Sequence, residues 1–198
     1  YWYSKLGSAA GFLIFLMAGL FVWFFGPKNE NNRISQPIFI GAVLGLLWVV
    51  EIAINNIIAP PLPMRDIMDN VFWAVIAFLI FSCSSISAYR IGRMRAGILV
   101  GAWSGFVSGL MACCMALSVV LFGMEYFVRD PLNIIEWAQR GGDSGVPTLQ
   151  AYFAYEIFAG AFLHLLVLGI LMGIILGALG GLLGNLIHLL DRRLIKSA

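Results

Sequence analysis

Apolar side chains occupy this chain in five long stretches, at residues 6–26, 37–58, 71–89, 97–123 and roughly 157–183, with short polar segments between them. A helix of about 18 or more predominantly apolar residues crosses the ~30 Å hydrocarbon core of a bilayer at about 1.5 Å per residue. Each stretch therefore predicts one transmembrane helix. The last belongs to a longer run that stays apolar from Ala151 to Leu190 except at Glu156, His164, Asn185 and His188. As one helix that run would reach about 60 Å. Its surplus length predicts a bend near Gly180, Gly181 and Gly184, with a break into two re-entrant halves as the alternative.

The connectors differ in chemistry. Gly26 and Pro27 close the first stretch, and residues 28–36 form a polar connector rich in asparagine. Pro60, Pro61 and Pro63 in the second connector, 59–70, lock φ and predict a turn rather than continuous helix. The third is a basic elbow of Arg90, Arg93 and Arg95. The fourth, 129–150, carries its own helix punctuation: Asp130 as N-cap, Pro131 at the first helical position, and Gly141–Gly142 as a stop. Leu132, Ile134, Ile135 and Trp137 supply apolar surface there, and Glu136 and Arg140 are spaced to pair. This predicts a short interfacial helix over 131–140. No connector is long enough to fold by itself, so 1–198 reads as a single transmembrane domain.

Glycine recurs at every fourth position in two stretches: Gly97, Gly101, Gly105 and Gly109, and later Gly169, Gly173, Gly177 and Gly181. Shorter echoes occur at Gly7/Gly11 and Gly41/Gly45. In a water-soluble helix each glycine would cost about 1 kcal/mol relative to alanine. In a bilayer, each row is a groove without Cβ atoms where a second backbone can approach closely. The rows predict a tight crossing near about −40°. Packing against each other within one chain is the preferred arrangement, and a homo-oligomeric seam is the other.

Composition agrees with the pattern. Hydrophobic residues make up 61% of the 198, charged residues only 11%, and the mean hydropathy is +0.93; an ordinary soluble domain has about 25% charged residues. The expected fold is an all-α polytopic membrane helix bundle of about five transmembrane helices and one interfacial helix, packed through its glycine rows. Basic residues set the expected orientation. One side collects Lys28, Arg33, Arg90, Arg93, Arg95, Arg192, Arg193 and Lys196, the other only Lys5, Arg65, Arg129 and Arg140. The richer side, with the C-terminus, is expected in the cytoplasm and the N-terminus outside, in the plasma (inner) membrane. Tyr1, Trp2 and Tyr3 fit an aromatic interface belt. A first residue other than methionine carries the expectation of lost upstream residues, and a helix among them would raise the count to six.

Candidate chemistry lies in the few polar groups at membrane depth. Glu51 falls about 10 Å from the outer end of the second span, with Asn55 one turn further on the same face. His164 enters the fifth span at a similar depth, while Glu156 falls at the outer boundary. An intramembrane acid is a functional hypothesis by default. Glu51 would take up and release charge, with His164 as relay or partner. The plainer reading is a protonated Glu51 bonded to Asn55, His164 or a carbonyl, holding helices together.

Met111 and Met115 bracket Cys113 and Cys114 in a way that suits a soft ion such as Cu(I). The Met-x3-Met spacing beside a glycine row is similar to that of copper-uptake channels, which have three spans and methionine-rich tails that this chain lacks. Adjacent cysteines point about 100° apart on a helix, and three cysteines without CxxC spacing make no zinc or haem signature. No metal site and no cofactor are expected. Ser82, Ser84, Ser85 and Ser87 either line a polar path or, as the preferred reading, bond to carbonyls of their own helix.

Arg90, Arg93, Arg95, Arg192 and Arg193 could gather anionic lipid headgroups, although topology alone explains them. His188 reads as an interfacial side chain. A net charge of +2 gives no reason to expect nucleic acid. No nucleophile elbow, catalytic carboxylate pair or phosphate loop appears, so an enzyme is not expected. Two functions stand side by side. One is a small, oligomeric transport or permeation protein with Glu51 and His164 in or beside its path. The other is a non-transporting subunit or anchor within a larger membrane complex.

Overall fold

The computed structural model describes residues 2–25, 35–141 and 144–197. Tyr1, the connector carrying Lys28 and Arg33, and Gly142 with Asp143 lie outside the described residues. The fold is an all-α bundle. Its first helix, α1, is Trp2–Phe25. Then α2, Ser35–Ala53, continues through a wider π-helical turn, Ile54–Ile58. Next come α3, Leu62–Ile91, and α4, Met94–Ser118, which runs on through a π-helical turn, Val119–Gly123, and a last turn, Met124–Phe127. The short α5, Pro131–Glu136, also ends in a π-helical turn, Trp137–Gly141. The long α6 is Leu149–Leu163, a π-helical stretch His164–Leu171, and Met172–Ser197.

Among the described residues, four helices are long and apolar enough to cross a membrane: Gln36–Ile58, Leu62–Ile91, Met94–Phe127 and Leu149–Ile195. Within α1, Lys5–Met17 is a shorter apolar helix. Large apolar side chains lie open along the outer faces, such as Ile14 at 65%, Phe39 at 65% and Phe78 at 67% exposure. A water-soluble monomer rarely leaves such extended apolar surface uncovered. Here the solvent for these faces is lipid.

Two expectations about chain path are corrected. The helix is interrupted at 59–61, as the prolines lead one to expect, but the connector does not run to residue 70, because α3 begins at Leu62 with Pro61 as its N-cap residue and Pro63 in its first turn. The first N–H groups of a helix have no partner within it, so proline removes nothing there. What breaks the chain is Ala59, in the left-handed region at φ 49° with its N–H on the Ile54 carbonyl. In α6 the irregular stretch is His164–Leu171, and Gly180, Gly181 and Gly184 sit in regular helix. Those glycines serve a contact instead, since Gly180 packs against the Phe81 carbonyl and Gly184 against that of Ser85.

The glycine rows face one another inside the chain. Gly97 meets Gly181, Gly101 meets Gly173 and Gly177, Gly105 meets Gly169 and Gly173, and Gly109 meets Gly169. One row ascends by four as the other descends by four, which is the register of two antiparallel helices. With every row glycine buried, α4 and α6 touch backbone to backbone. A shorter seam joins α2 to α4, where Gly41 meets Ser104 and Val107 and Gly45 meets Met111. Around these seams Leu44, Trp48, Ile52, Ile76, Ile80, Val120 and Phe153 form one apolar core. Leu110, Cys113, Leu117, Ala161 and Leu165 form a second, against which Phe12 and Phe15 of α1 pack.

Candidate functional site

Glu51 stands on the last regular turn of α2 and is only 6% exposed. The Asn55 amide, one turn on, donates to Glu51 Oε1. Asn55 Oδ1 is itself buried and accepts no hydrogen bond among the described residues. On the other side stands the Asp69 carboxyl of α3, near enough for the two acids to interact. The early start of α3 is what turns Asp69 from a connector residue into a helical one and aims it at α2. That early start had a signal in the sequence, since proline is favoured in a first helical turn.

His164 does not join this group. Its imidazole packs instead on Trp48, whose ring is edge-on to Trp73 at 5.1 Å and to His164 at 5.4 Å between centroids. The imidazole Nδ1 bonds to the Gly160 carbonyl of its own helix at 2.8 Å. This is the rotation of a helix at work. Residues 51 and 55 share one face, whereas 52 and 56 lie about 100° further round, and it is this second face that meets His164.

There a cavity of about 140 Å³ is lined by Ile52, Asn56, Ala116, Val119, Ile157, Gly160 and His164. Asn56 comes from the π-helical turn of α2, Val119 from that of α4, and His164 from that of α6. π-Helical turns displace side chains from regular register and recur at functional sites. Three of them converge here. The Asn56 amide donates to the Ile52 carbonyl at 2.8 Å, so Asn56 and His164 supply the polar groups of an otherwise apolar space. It is roomy enough for several waters.

Of the sulfur-bearing candidates, Met111, Cys114 and Met115 line one apolar groove between α1, α2 and α4, with Met111 also packed on Gly45, while Cys113 is fully buried in the second core. Glu156 is exposed. Ser84 is fully buried with an Oγ that has no hydrogen-bond partner among the described residues, contrary to the expected bond to its own helix, whereas Ser104, Ser108 and Ser118 do make such bonds. The close Gly180 helix leaves the Ser84 Cβ only 3.1 Å from where a side chain would start. His188 packs edge-on to Tyr89 and covers the left-handed Gly92 turn that ends α3, while the Tyr89 hydroxyl donates to Asp191 at 2.5 Å.

At the opposite end, Asp130 accepts from Leu132 N at 3.1 Å as the cap of α5 and also from Arg65 Nη2 at 2.8 Å. The arginine was not foreseen. Glu136 and Arg140 approach to 3.8 Å.

These features define a multi-pass, all-α membrane helix bundle with a buried carboxyl, Glu51, near one end. No protein-family model, curated protein or solved structure matches the chain.

Proposed function

We propose that this chain is a small multi-pass transport protein in which Glu51 takes up and releases a proton as part of permeation. The observation that carries this reading is the buried Glu51 carboxyl with the Asn55 amide and the Asp69 carboxyl beside it. Ionisable groups at membrane depth are costly, face a partner or cavity, and mark ion and proton pathways. Two carboxylates side by side repel one another when both are charged, so a site that holds both favours one shared proton. Glu51 and Asp69 then form a station that holds a proton, with the partly exposed Asp69 as its link to water. Beyond Trp48, His164 and the cavity it shares with Asn56 supply the next station. The basic residues favour a cytoplasmic C-terminus in the plasma (inner) membrane, with the carboxyl pair on the outer side. Transport in this form needs one chain, since both glycine rows are taken up between α4 and α6; a homo-oligomer would assemble through another face.

The second reading is a non-transporting subunit of a larger membrane complex. It is favoured by the seam between α4 and α6, where backbone meets backbone and no polar lining remains. The two readings part on Glu51→Gln. In liposomes loaded with a pH-sensitive dye and given a proton gradient, the wild type is expected to carry proton flux above protein-free liposomes. Glu51→Gln is expected to lower it by about a hundredfold, the scale of a lost proton-transfer group, while eluting as wild type from size-exclusion chromatography. Asp69→Asn is expected to lower it as well. Equal flux in wild type and Glu51→Gln, or no wild-type flux, would overturn the transport reading and leave the subunit.

A further inference from the structure

The end of the bundle that carries the basic elbow has a cavity of a different kind. A cleft of about 640 Å³ opens between α2, α3 and α4. Phe39, Ile40 and Ile86 form an apolar wall, and Gln36, Ser87 and Arg90 ring its mouth. Cys83 at its floor and Arg90 at its mouth are separated by about 10 Å along α3. The cleft thus grades from hydrocarbon-like to cationic over the depth of one headgroup and the first carbons of an acyl chain. Arg90 takes part in no ion pair among the described residues. Past the Gly92 turn, Arg93 at the N-cap of α4 and Arg95 in its first turn are both exposed and add positive potential at this end of the bundle.

We propose that this cleft binds one anionic phospholipid, its phosphate held by Arg90 with Gln36 and Ser87 as further donors, and one acyl chain laid along Phe39, Ile40 and Ile86. A guanidinium forms two parallel, charge-assisted hydrogen bonds with a phosphate. The volume falls in the range of small-molecule sites. Charge complementarity selects the occupant. The other large groove, of about 530 Å³ between α1, α2 and α4, is lined by apolar side chains with only Ser118 and Cys114 among them, and it offers a headgroup nothing. Nothing in this proposal depends on Glu51, so its failure would leave the transport reading where it stands.

Native mass spectrometry of the whole chain, released from nanodiscs of equal parts dioleoyl-phosphatidylglycerol and dioleoyl-phosphatidylcholine, tests it. The wild type is expected to retain one phosphatidylglycerol in preference to phosphatidylcholine. Arg90→Gln, at an exposed position, is expected to reduce that preference about fivefold, the factor one basic side chain supplies near an anionic surface. Ile86→Trp, also at an exposed position, is expected to fill the cleft and remove the retained lipid altogether. Arg192→Gln, exposed at the same end, is expected to change neither result. Equal loss in Arg192→Gln would assign retention to general surface charge and overturn the site. Displacement of the lipid by excess inorganic phosphate, or retention unaffected by Ile86→Trp, would mean an anion site without an acyl groove and would overturn it equally.

Discussion

Replacing Gly101 with leucine is expected to unfold the bundle in detergent and to remove the monodisperse species from size-exclusion chromatography. A Cβ added at Gly101 would overlap the Gly173 carbonyl oxygen and lie 2.6 Å from the Gly177 Cα. Both are backbone atoms, so no change of rotamer relieves the contact. The two helices must part, and the other pairs of the same seam part with them. Overpacking a well-packed interior costs about 1–3 kcal/mol where neighbours can yield, and more where they cannot. We expect the loss at Gly101 to exceed ~3 kcal/mol. Gly160→Ala is the matched control. It lies on the same long helix as the second row, yet an added Cβ there meets nothing within 4 Å. Alanine is also the better helix former by about 1 kcal/mol, so the midpoint of unfolding should hold or rise. A Gly101→Leu protein with the wild-type midpoint would mean that α4 and α6 do not meet glycine to glycine.

That prediction could have been drawn in outline from the sequence, because a four-residue repeat states both the face of a helix and the spacing of its contacts. Equal spacing in two rows also permits the antiparallel register that α4 and α6 adopt. Depth in the membrane was legible in the same way. Trp48 and Asn56, which flank Glu51 along α2, both reach His164, because rise per residue fixes height along a helix. Rotation about the helix axis was not legible. It depends on which neighbour each helix faces, and here it turns Glu51 towards α3 and turns Asn56, one residue beyond Asn55, towards His164.

Asp69 was hidden for a different reason. Three prolines within four residues read as a break, although two of them occupy the one part of a helix that tolerates proline. The π-helical turns that surround the cavity left no mark either, because nothing in Ile54–Ile58 or His164–Leu171 separates a wide turn from a regular one by composition.

The second large effect is expected at Asp130→Ala, with a loss of about 3–5 kcal/mol. Asp130 is 6% exposed and ties together three pieces of chain. Its carboxylate accepts from Arg65 on the first turns of α3 and from Leu132 N at the start of α5. Arg65 in turn donates to the Pro60 carbonyl at 3.3 Å. Without the carboxylate, the arginine, whose side chain is 17% exposed, keeps its charge in a poorly solvated place, and that uncompensated charge is the larger part of the expected loss. The missing cap adds about 1 kcal/mol.

Asp130→Asn should fall between, because it keeps a cap acceptor and loses the ion pair. The double variant Arg65→Met/Asp130→Leu should be milder than Asp130→Ala, since it leaves no charge behind. Glu125→Ala supplies the scale for a solvated pair: Arg129 and Glu125 lie 3.9 Å apart with side chains 74% and 62% exposed, and such pairs contribute about 0.5 kcal/mol or less. Unfolding midpoints in a mixed-detergent titration separate the cases. If Asp130→Ala moves the midpoint no further than Glu125→Ala does, the Arg65 pair is solvated, and α5 is held to the bundle by its apolar face alone.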